Sequence, residues 1–268
     1  MTRPRSFQTE AVIIKKTKLG EADRILTFYT PDMGKTQGVA KGVRRPKSKM
    51  AGHLELLTHS RVQFARGRNL DTVTGSQTVN AFLPLKDDLW LASYGLYVTE
   101  MVNQFTPEHV ANPELFGLLV ETLLNLCRAD ADREQALRHF ELHLLDAVGY
   151  RPQLQECVNC HASLEPVPNY FSPVAGGVLC PKCYDPEGGA RPLSVNALKV
   201  LRFLQSNDFD TANRLKVNAP LSRELETVMR GLIRYLLERD LKSADWLDAL
   251  KRQAPPVQPI APPPENAG

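Results

Sequence analysis

Four cysteines carry the most specific chemistry in the sequence. Cys157-Val-Asn-Cys160 is followed by nineteen residues and then by Cys180-Pro-Lys-Cys183. Two thiolates three residues apart can hold one ion from a single tight turn. Two such turns complete a tetrahedral sulfur shell with Zn–S distances of about 2.3 Å. All protein positions around the ion are then filled, so a zinc bound there, one per chain, builds structure and does not catalyse. Two disulfides or four unligated core cysteines are the competing readings; the paired C-x2-C spacing favours the metal. Pro166, Pro168 and Pro173 punctuate the intervening stretch, and Gly176-Gly177 supplies a turn before the second pair. That pattern fits a zinc-pinned β-hairpin.

The second chemical feature is charge. Residues 1–80 hold 15 Lys and Arg against 6 Asp and Glu, a net +9, while residues 81–268 hold 18 against 24, a net −6. The sum is the overall +3. Residues 41–49 alone carry five cations, Lys41, Arg44, Arg45, Lys47 and Lys49, with Gly42 and Pro46 barring a regular helix. Arg66 and Arg68 flank the next turn at Gly67. A flexible cationic arm beside a groove can track a phosphate backbone while aromatic side chains stack bases. A solvated, self-repelling surface loop is the bland alternative, but the bias of the whole N-terminal part favours a polyanion partner.

Residues for covalent catalysis are missing. Gly34-Lys35-Thr36 echoes the end of a phosphate-binding loop, yet the glycine required five positions earlier is Tyr29. Neither a Gly-x-Ser-x-Gly elbow nor a dinucleotide fingerprint occurs. His139 and His143 are four apart on a predicted helix, but Phe140 stands where a metalloprotease needs Glu and no third ligand is evident, so both read as surface or partly buried histidines. Cys127 reads as a small buried hydrophobe, and His161 is superfluous beside four cysteines. Glu226 and Arg230 form an ordinary helix pair. The chain therefore reads as a binding protein and not an enzyme.

The elements that must position these residues fall into two styles. β-branched residues and turn signals recur through residues 8–80, with strand segments at 11–15, 24–30, 35–40, 59–66 and 71–74 with Val79. They predict a small closed sheet of five strands, of the size of an OB barrel. Helical periodicity follows over 85–104, with Leu89, Leu96 and Val102 as core positions, over 112–127 behind an Asn112-Pro113-Glu114 start, and over 132–148 with Leu137, Phe140, Leu144 and Val148 on one face. After the cysteines, Ser194 caps a helix to Leu204, another spans 222–239, and a short one covers 244–250. The fold class is α+β: a basic barrel at 1–81, then a helical domain at 82–252 with a zinc-binding insertion at 153–192. A tail at 253–268 has six prolines in its last fifteen residues and reads as disordered. The start is too polar for a signal peptide, and no run approaches about 18 apolar residues. Together with the thiolate-type cysteines, this places the protein in a reducing cytoplasm without a membrane partner.

Several motifs in this order resemble the RecO family of bacterial recombination mediators, over about residues 9–250. They are Gly20-Glu21-Ala22-Asp23-Arg24-Ile25, Gly34-Lys35 through Val39-Ala40-Lys41-Gly42, Arg44-Arg45 with Ser48, Gly149-Tyr150-Arg151-Pro152 before the first cysteine pair, and Phe171-Ser172 with Gly176-Gly177 before the second. The resemblance implies an OB fold, a helical domain and a zinc insertion. It implies binding of single- and double-stranded DNA, annealing of complementary strands, and work with RecR to load RecA onto strands coated by single-strand DNA-binding protein (SSB), in the cytoplasm at the nucleoid. It further implies that the acidic, apolar-ended SSB tail docks on the helical part. The DNA-binding set expected on this basis is Arg24, Lys35, Lys41, Arg44, Arg45, Lys47, Lys49, Arg66 and Arg68; Phe28, Tyr29 and Phe64 are candidates for stacking bases and equally for the core. A zinc-ribbon RNA-binding or transcription-associated module is the alternative reading; a metal-dependent nuclease would need an open site of carboxylate or His ligands.

Overall fold

The structure is a computed structural model and describes residues 5–253. The predicted tail at 253–268 thus lies, but for its first residue, outside the described residues. Strands β1 (Ser6–Leu19), β2 (Asp23–Thr30), β3 (Gly34–Ala40), β4 (His59–Ala65) and β5 (Asp71–Asn80) close into a barrel in the order β1-β2-β3-β5-β4. β3 and β5 run parallel, and the other neighbours are antiparallel. This is an OB-like barrel.

β1 is much longer than its apolar run predicts, because it pairs with β4 through Ser6–Val12 and with β2 through Val12–Leu19. The register slips between Ile13 and Lys15. At this bulge Ala11 and Ile13 enter the barrel core with Leu26, Phe28, Val62 and Phe64, while Val12 and Ile14 join Tyr29 against the helices. One strand therefore serves two cores.

The helices are α1 (Pro84–Asp87), α2 (Leu89–Phe105), α3 (Pro113–Leu126), α4 (Arg133–Ala147), α5 (Val195–Ser206), α6 (Phe209–Asn213), α7 (Ala219–Leu237) and α8 (Lys242–Gln253). The single helix expected over 85–104 is broken at Asp88, which is extended (φ −122°, ψ 125°) and accepts a hydrogen bond from Leu91 N to cap α2. Leu89 accordingly sits in an exposed first turn rather than in the core, and Leu96 is only half-buried. Asn112 and Ser194 cap α3 and α5 through Leu115 N and Ala197 N, as their sequence contexts predict. α7 begins earlier than expected, capped by Asn218 with Pro220 in its first turn. Inside the helical body Tyr97 Oη donates to Glu141 Oε1 (2.6 Å), and Arg138 donates to the same oxygen (2.5 Å). Burial of all three groups makes this a costly pair to break from one side.

The segment after α2 covers the open half of β3. His109 N donates to Lys35 O (2.9 Å), and Gln37 Nε2 donates to Glu108 Oε1 (2.7 Å). The approach is close enough to require glycine at position 34: its φ is +61°, and a Cβ there would lie 1.9 Å from the Val110 carbonyl oxygen. An edge that would otherwise invite pairing is thereby closed.

Between α4 and α5, strands β6 (Asn169–Ser172), β7 (Gly177–Leu179) and β8 (Arg191–Leu193) form a sheet of order β7-β6-β8. The expected hairpin is β6–β7, turned at Gly176 (φ +68°). Phe171, Val178 and Leu193 anchor it to the helical core. No helix among the described residues is long and apolar enough to cross a membrane.

Candidate metal centre and nucleic-acid interface

The two cysteine turns meet at the tip of the small sheet. Each is closed by a main-chain hydrogen bond: His161 N to Cys157 O (2.9 Å) and Cys183 N to Cys180 O (3.0 Å). The Sγ atoms of Cys157, Cys160, Cys180 and Cys183 all lie within 4.8 Å of one another. Cys160 and Cys180 Sγ are 3.9 Å apart. That separation is far beyond a disulfide bond of about 2.05 Å. It matches the edge of about 3.8 Å expected for a tetrahedron with 2.3 Å metal–sulfur bonds. Burial raises the Cys157 thiol, but main-chain N–H groups of Cys160, Cys180 and Asn159 outweigh it and bring it down to about 6. The donor set is what a thiophilic divalent ion takes. His161 is exposed and turned toward Glu156 (3.8 Å), outside the cluster.

The other two weak signals resolve as structure. His139 and His143 stack at 4.1 Å between centroids, and each Nε2 meets a carbonyl oxygen at the end of α5, Asn207 O and Leu204 O (3.0 Å each). They satisfy a helix C-terminus. Cys127 is half-buried, its Sγ donating to Leu123 O (3.2 Å), and burial pushes its thiol up.

Strand pairing gathers the cations. Leu19 pairs with Asp23, Arg24 with Ala40, Gly38 with Asp71 and Ala65 with Thr72. The β1–β2 turn, the start of the β3–β4 connection and the β4–β5 turn therefore share one end of the barrel. Arg24, Lys41, Arg44, Arg45, Lys47, Lys49, Arg66 and Arg68 all belong to that rim. The arm expected to be flexible is a run of turns. Gly42 N donates to Asp23 Oδ1 (2.7 Å), Arg44 N to Ala22 O (3.0 Å) and Ser48 N to Arg45 O (2.9 Å). Arg24 lies 3.6 Å from Glu55, and Arg66 pairs with Asp71 (3.3 Å) while lying over the Phe7 ring (4.1 Å). Lys41, Arg44, Arg45, Lys47, Lys49 and Arg68 are exposed and enter no ion pair among the described residues.

Two expectations change. Lys35 sits at the other end of the barrel, where its Nζ donates to Asn103 O (2.7 Å), and burial lowers its pKa. Phe28, Tyr29 and Phe64 are fully buried, so none offers a face to a base. Lys18, opposite Arg24 and exposed, also belongs to the rim, and the dense lysines of β1 are its only signal in the sequence.

A five-stranded OB-like barrel followed by a helical body that carries a four-cysteine cluster defines the class: an α+β chain with a candidate metal site and one strongly cationic rim. Family models agree over nearly the whole chain. Residues 1–82 match "Recombination protein O N terminal" and residues 86–245 match "Recombination protein O C terminal". The chain is 49% identical over 252 residues to the DNA repair protein RecO of Dehalococcoides mccartyi (strain ATCC BAA-2266), covering 94% of this chain and 99% of that one. It is 42% identical over 250 residues to the RecO of Roseiflexus sp. (93% and 88% covered) and 35% identical over 247 residues to that of Symbiobacterium thermophilum (91% and 98%). The chain belongs to the RecO family of DNA repair proteins. That membership carries a role in DNA repair and recombination.

Proposed function

We propose that this chain is a recombination mediator that works by binding, without covalent chemistry. It holds single- and double-stranded DNA on the basic barrel, anneals complementary strands and, with RecR, helps load RecA onto strands coated by SSB, in the cytoplasm at the nucleoid. The observation that carries the reading is the gathering, at one end of the barrel, of cations from the β3–β4 connection and the β4–β5 turn that have no ion-pair partner among the described residues. Two strands held there have their phosphate repulsion screened while bases remain free to pair. The phosphate contacts are Arg24, Lys41, Arg44, Arg45, Lys47, Lys49, Arg66 and Arg68, joined by Lys18; Lys35 instead secures the barrel to α2.

The division of labour follows the charge: residues 1–81 handle DNA, and residues 82–252 handle proteins. The cysteine cluster of the 153–192 insertion holds one structural zinc ion through Cys157, Cys160, Cys180 and Cys183. A cleft of about 500 Å³ between α7, α8 and the zinc insertion has Ile233 and Leu241 in its wall. Arg234 and Arg230 there are paired with Asp240 and Asp248, Asp245 also lines it, and Arg191 and Arg239 are the cations left to meet a carboxylate. It suits the acidic, apolar-ended tail of SSB. The decisive test is annealing of complementary oligonucleotides with neither nucleotide nor added divalent metal. Annealing well above the spontaneous rate is expected. A rate equal to the spontaneous one, or cleavage of either strand, would remove the reading.

A further inference from the structure

The barrel has a cationic rim but buries its large aromatics, Phe28 and Phe64 in its own core and Tyr29 against the helices. Among the described residues, a single strand held at the rim has no aromatic face there beyond Phe7, which is partly buried and stacked on Phe64 under Arg66. An aromatic offered to solvent beside a lysine-bearing strand lies elsewhere. It is Trp246 on α8, 49% exposed, in a groove of about 510 Å³ between β1, α2 and α8.

The construction of this groove is specific. The bulge in β1 sets Ile14 and Lys15 side by side at its wall, Ile14 in the interface with the helices and Lys15 in solvent. The indole N–H of Trp246 donates to Ser93 Oγ (3.0 Å), which ties the ring to α2, while about half of the residue stays exposed to solvent. Lys242 stands one helical turn before Trp246 and is exposed. The only carboxylate lining the groove among the described residues, Glu100, is already engaged: its oxygens accept from Lys242 N (3.2 Å), Ser243 N (2.8 Å) and Ser243 Oγ (2.5 Å), capping α8. The helical part is acidic overall, yet beside that one capped carboxylate it contributes a lysine and an indole here.

The groove also continues the barrel surface. Lys15, Thr17 and Leu19 share the outer face of β1 with Ile25 on β2, by pairing Lys15 with Thr27 and Thr17 with Ile25. From Leu19 at the rim to Lys15 at the groove is about 13 Å along the strand. We propose that the groove between β1, α2 and α8 is a second contact site for single-stranded nucleic acid, with a base stacked on Trp246 and flanking phosphates on Lys15 and Lys242. The proposal rests on the reading of the barrel as a DNA-binding surface and extends it onto the helical part. Stacking on an aromatic with phosphate contacts from lysine is a mode indifferent to base sequence, which suits a protein that must handle any strand.

The chain has two tryptophans, Trp90 and Trp246, so the full-length W90F variant reports on Trp246 alone. Oligothymidylate should quench its fluorescence along the same curve that fluorescence anisotropy of a labelled strand gives for binding. W246A should weaken that binding by about 5- to 150-fold, the range for removal of one stacked base. The K15A/K242A double variant changes exposed side chains only and should flatten the slope of log K against log salt by about 1.4, at roughly 0.7 per single-strand phosphate contact. Binding by anisotropy with unmoved Trp246 fluorescence and a wild-type salt slope in K15A/K242A would overturn the groove while leaving the barrel reading intact. Absence of any oligonucleotide binding would overturn both.

Discussion

Lys35 Nζ donates to the main-chain carbonyl of Asn103 across 2.7 Å, joining β3 of the barrel to α2 of the helical body. A cation that the sequence places among the DNA contacts thus has a partner within the protein. Replacing it by Met should cost about 1–2 kcal/mol of stability, as for removal of a charge-assisted hydrogen bond at a half-buried site. The salt dependence of DNA binding should stay unchanged. Urea midpoints and salt titrations of K35M check both. An unchanged midpoint with a slope reduced by about 0.7 would return Lys35 to the DNA face.

The same strand edge predicts a second effect. Gly34→Ala puts a Cβ 1.9 Å from Val110 O at φ +61°, whereas Gly20→Ala, at φ +58°, meets nothing within 4 Å. Both incur the left-handed strain of about 1 kcal/mol, but only Gly34→Ala must also push the 108–110 segment off β3. Its destabilisation should exceed that of Gly20→Ala by about 2 kcal/mol or more in denaturant unfolding. Equal destabilisation would mean that the 108–110 segment gives way freely.

The cysteine cluster should retain about one zinc ion per chain in freshly prepared, reduced protein. C160S/C183S should lose the ion and loosen residues 153–192, because binding energy at such a site is folding energy. Elemental analysis together with amide exchange over that segment reads both effects. A metal-free wild-type protein with full protection there would dismiss the structural ion.

Features that depend on local spacing were legible in the sequence. The two C-x2-C pairs, the Asn112 and Ser194 caps and the Gly176 turn each rest on residues a few positions apart, and each appears in the fold. Features set by long-range partners were not. Val12, Ile13 and Ile14 read as one apolar run, although the bulge divides them between two cores. Aromatics in alternating strands look alike whether a face meets solvent or a helix, so Phe28, Tyr29 and Phe64 could not be sorted. Asp88 breaks a helix whose periodicity runs straight through it, and α6 is too short to show a period at all. Lys35 looked like its basic neighbours because Asn103, its partner, is 68 positions away.

The stacked histidines give the stability a pH dependence. Burial lowers the His139 pKa from 6.5 to about 4, assisted by the adjacent His143. The unfolded chain therefore binds the proton more tightly, and this contribution to stability is present above about pH 6.5 and lost as pH falls toward 4. A depression of that size corresponds to up to about 3 kcal/mol. His139→Gln, which can still donate to Asn207 O, should lose less stability than wild type between pH 7 and pH 5. Comparing the two proteins cancels any shared loss at the cysteine site. Parallel pH profiles would show that His139 titrates normally.

The rim makes the sharpest demand. Arg44, Arg45, Lys47 and Lys49 are exposed and unpaired among the described residues, and their segment is held by main-chain bonds that do not involve their side chains, apart from a long hydrogen bond from Arg44 to Gly20 O (3.4 Å). Changing all four to Ala should hardly move thermal stability. Binding to every DNA sequence should weaken alike, because phosphate contacts position a strand without reading it. The slope of log K against log salt should flatten by roughly 0.7 for each single-strand phosphate that the variant no longer neutralises. Annealing should fall in step, since the same charges screen one strand from the other. A solvated loop with no ligand predicts none of this. A quadruple variant that binds and anneals like the wild type at every salt concentration would move the DNA path off these turns and toward Arg66 and Arg68.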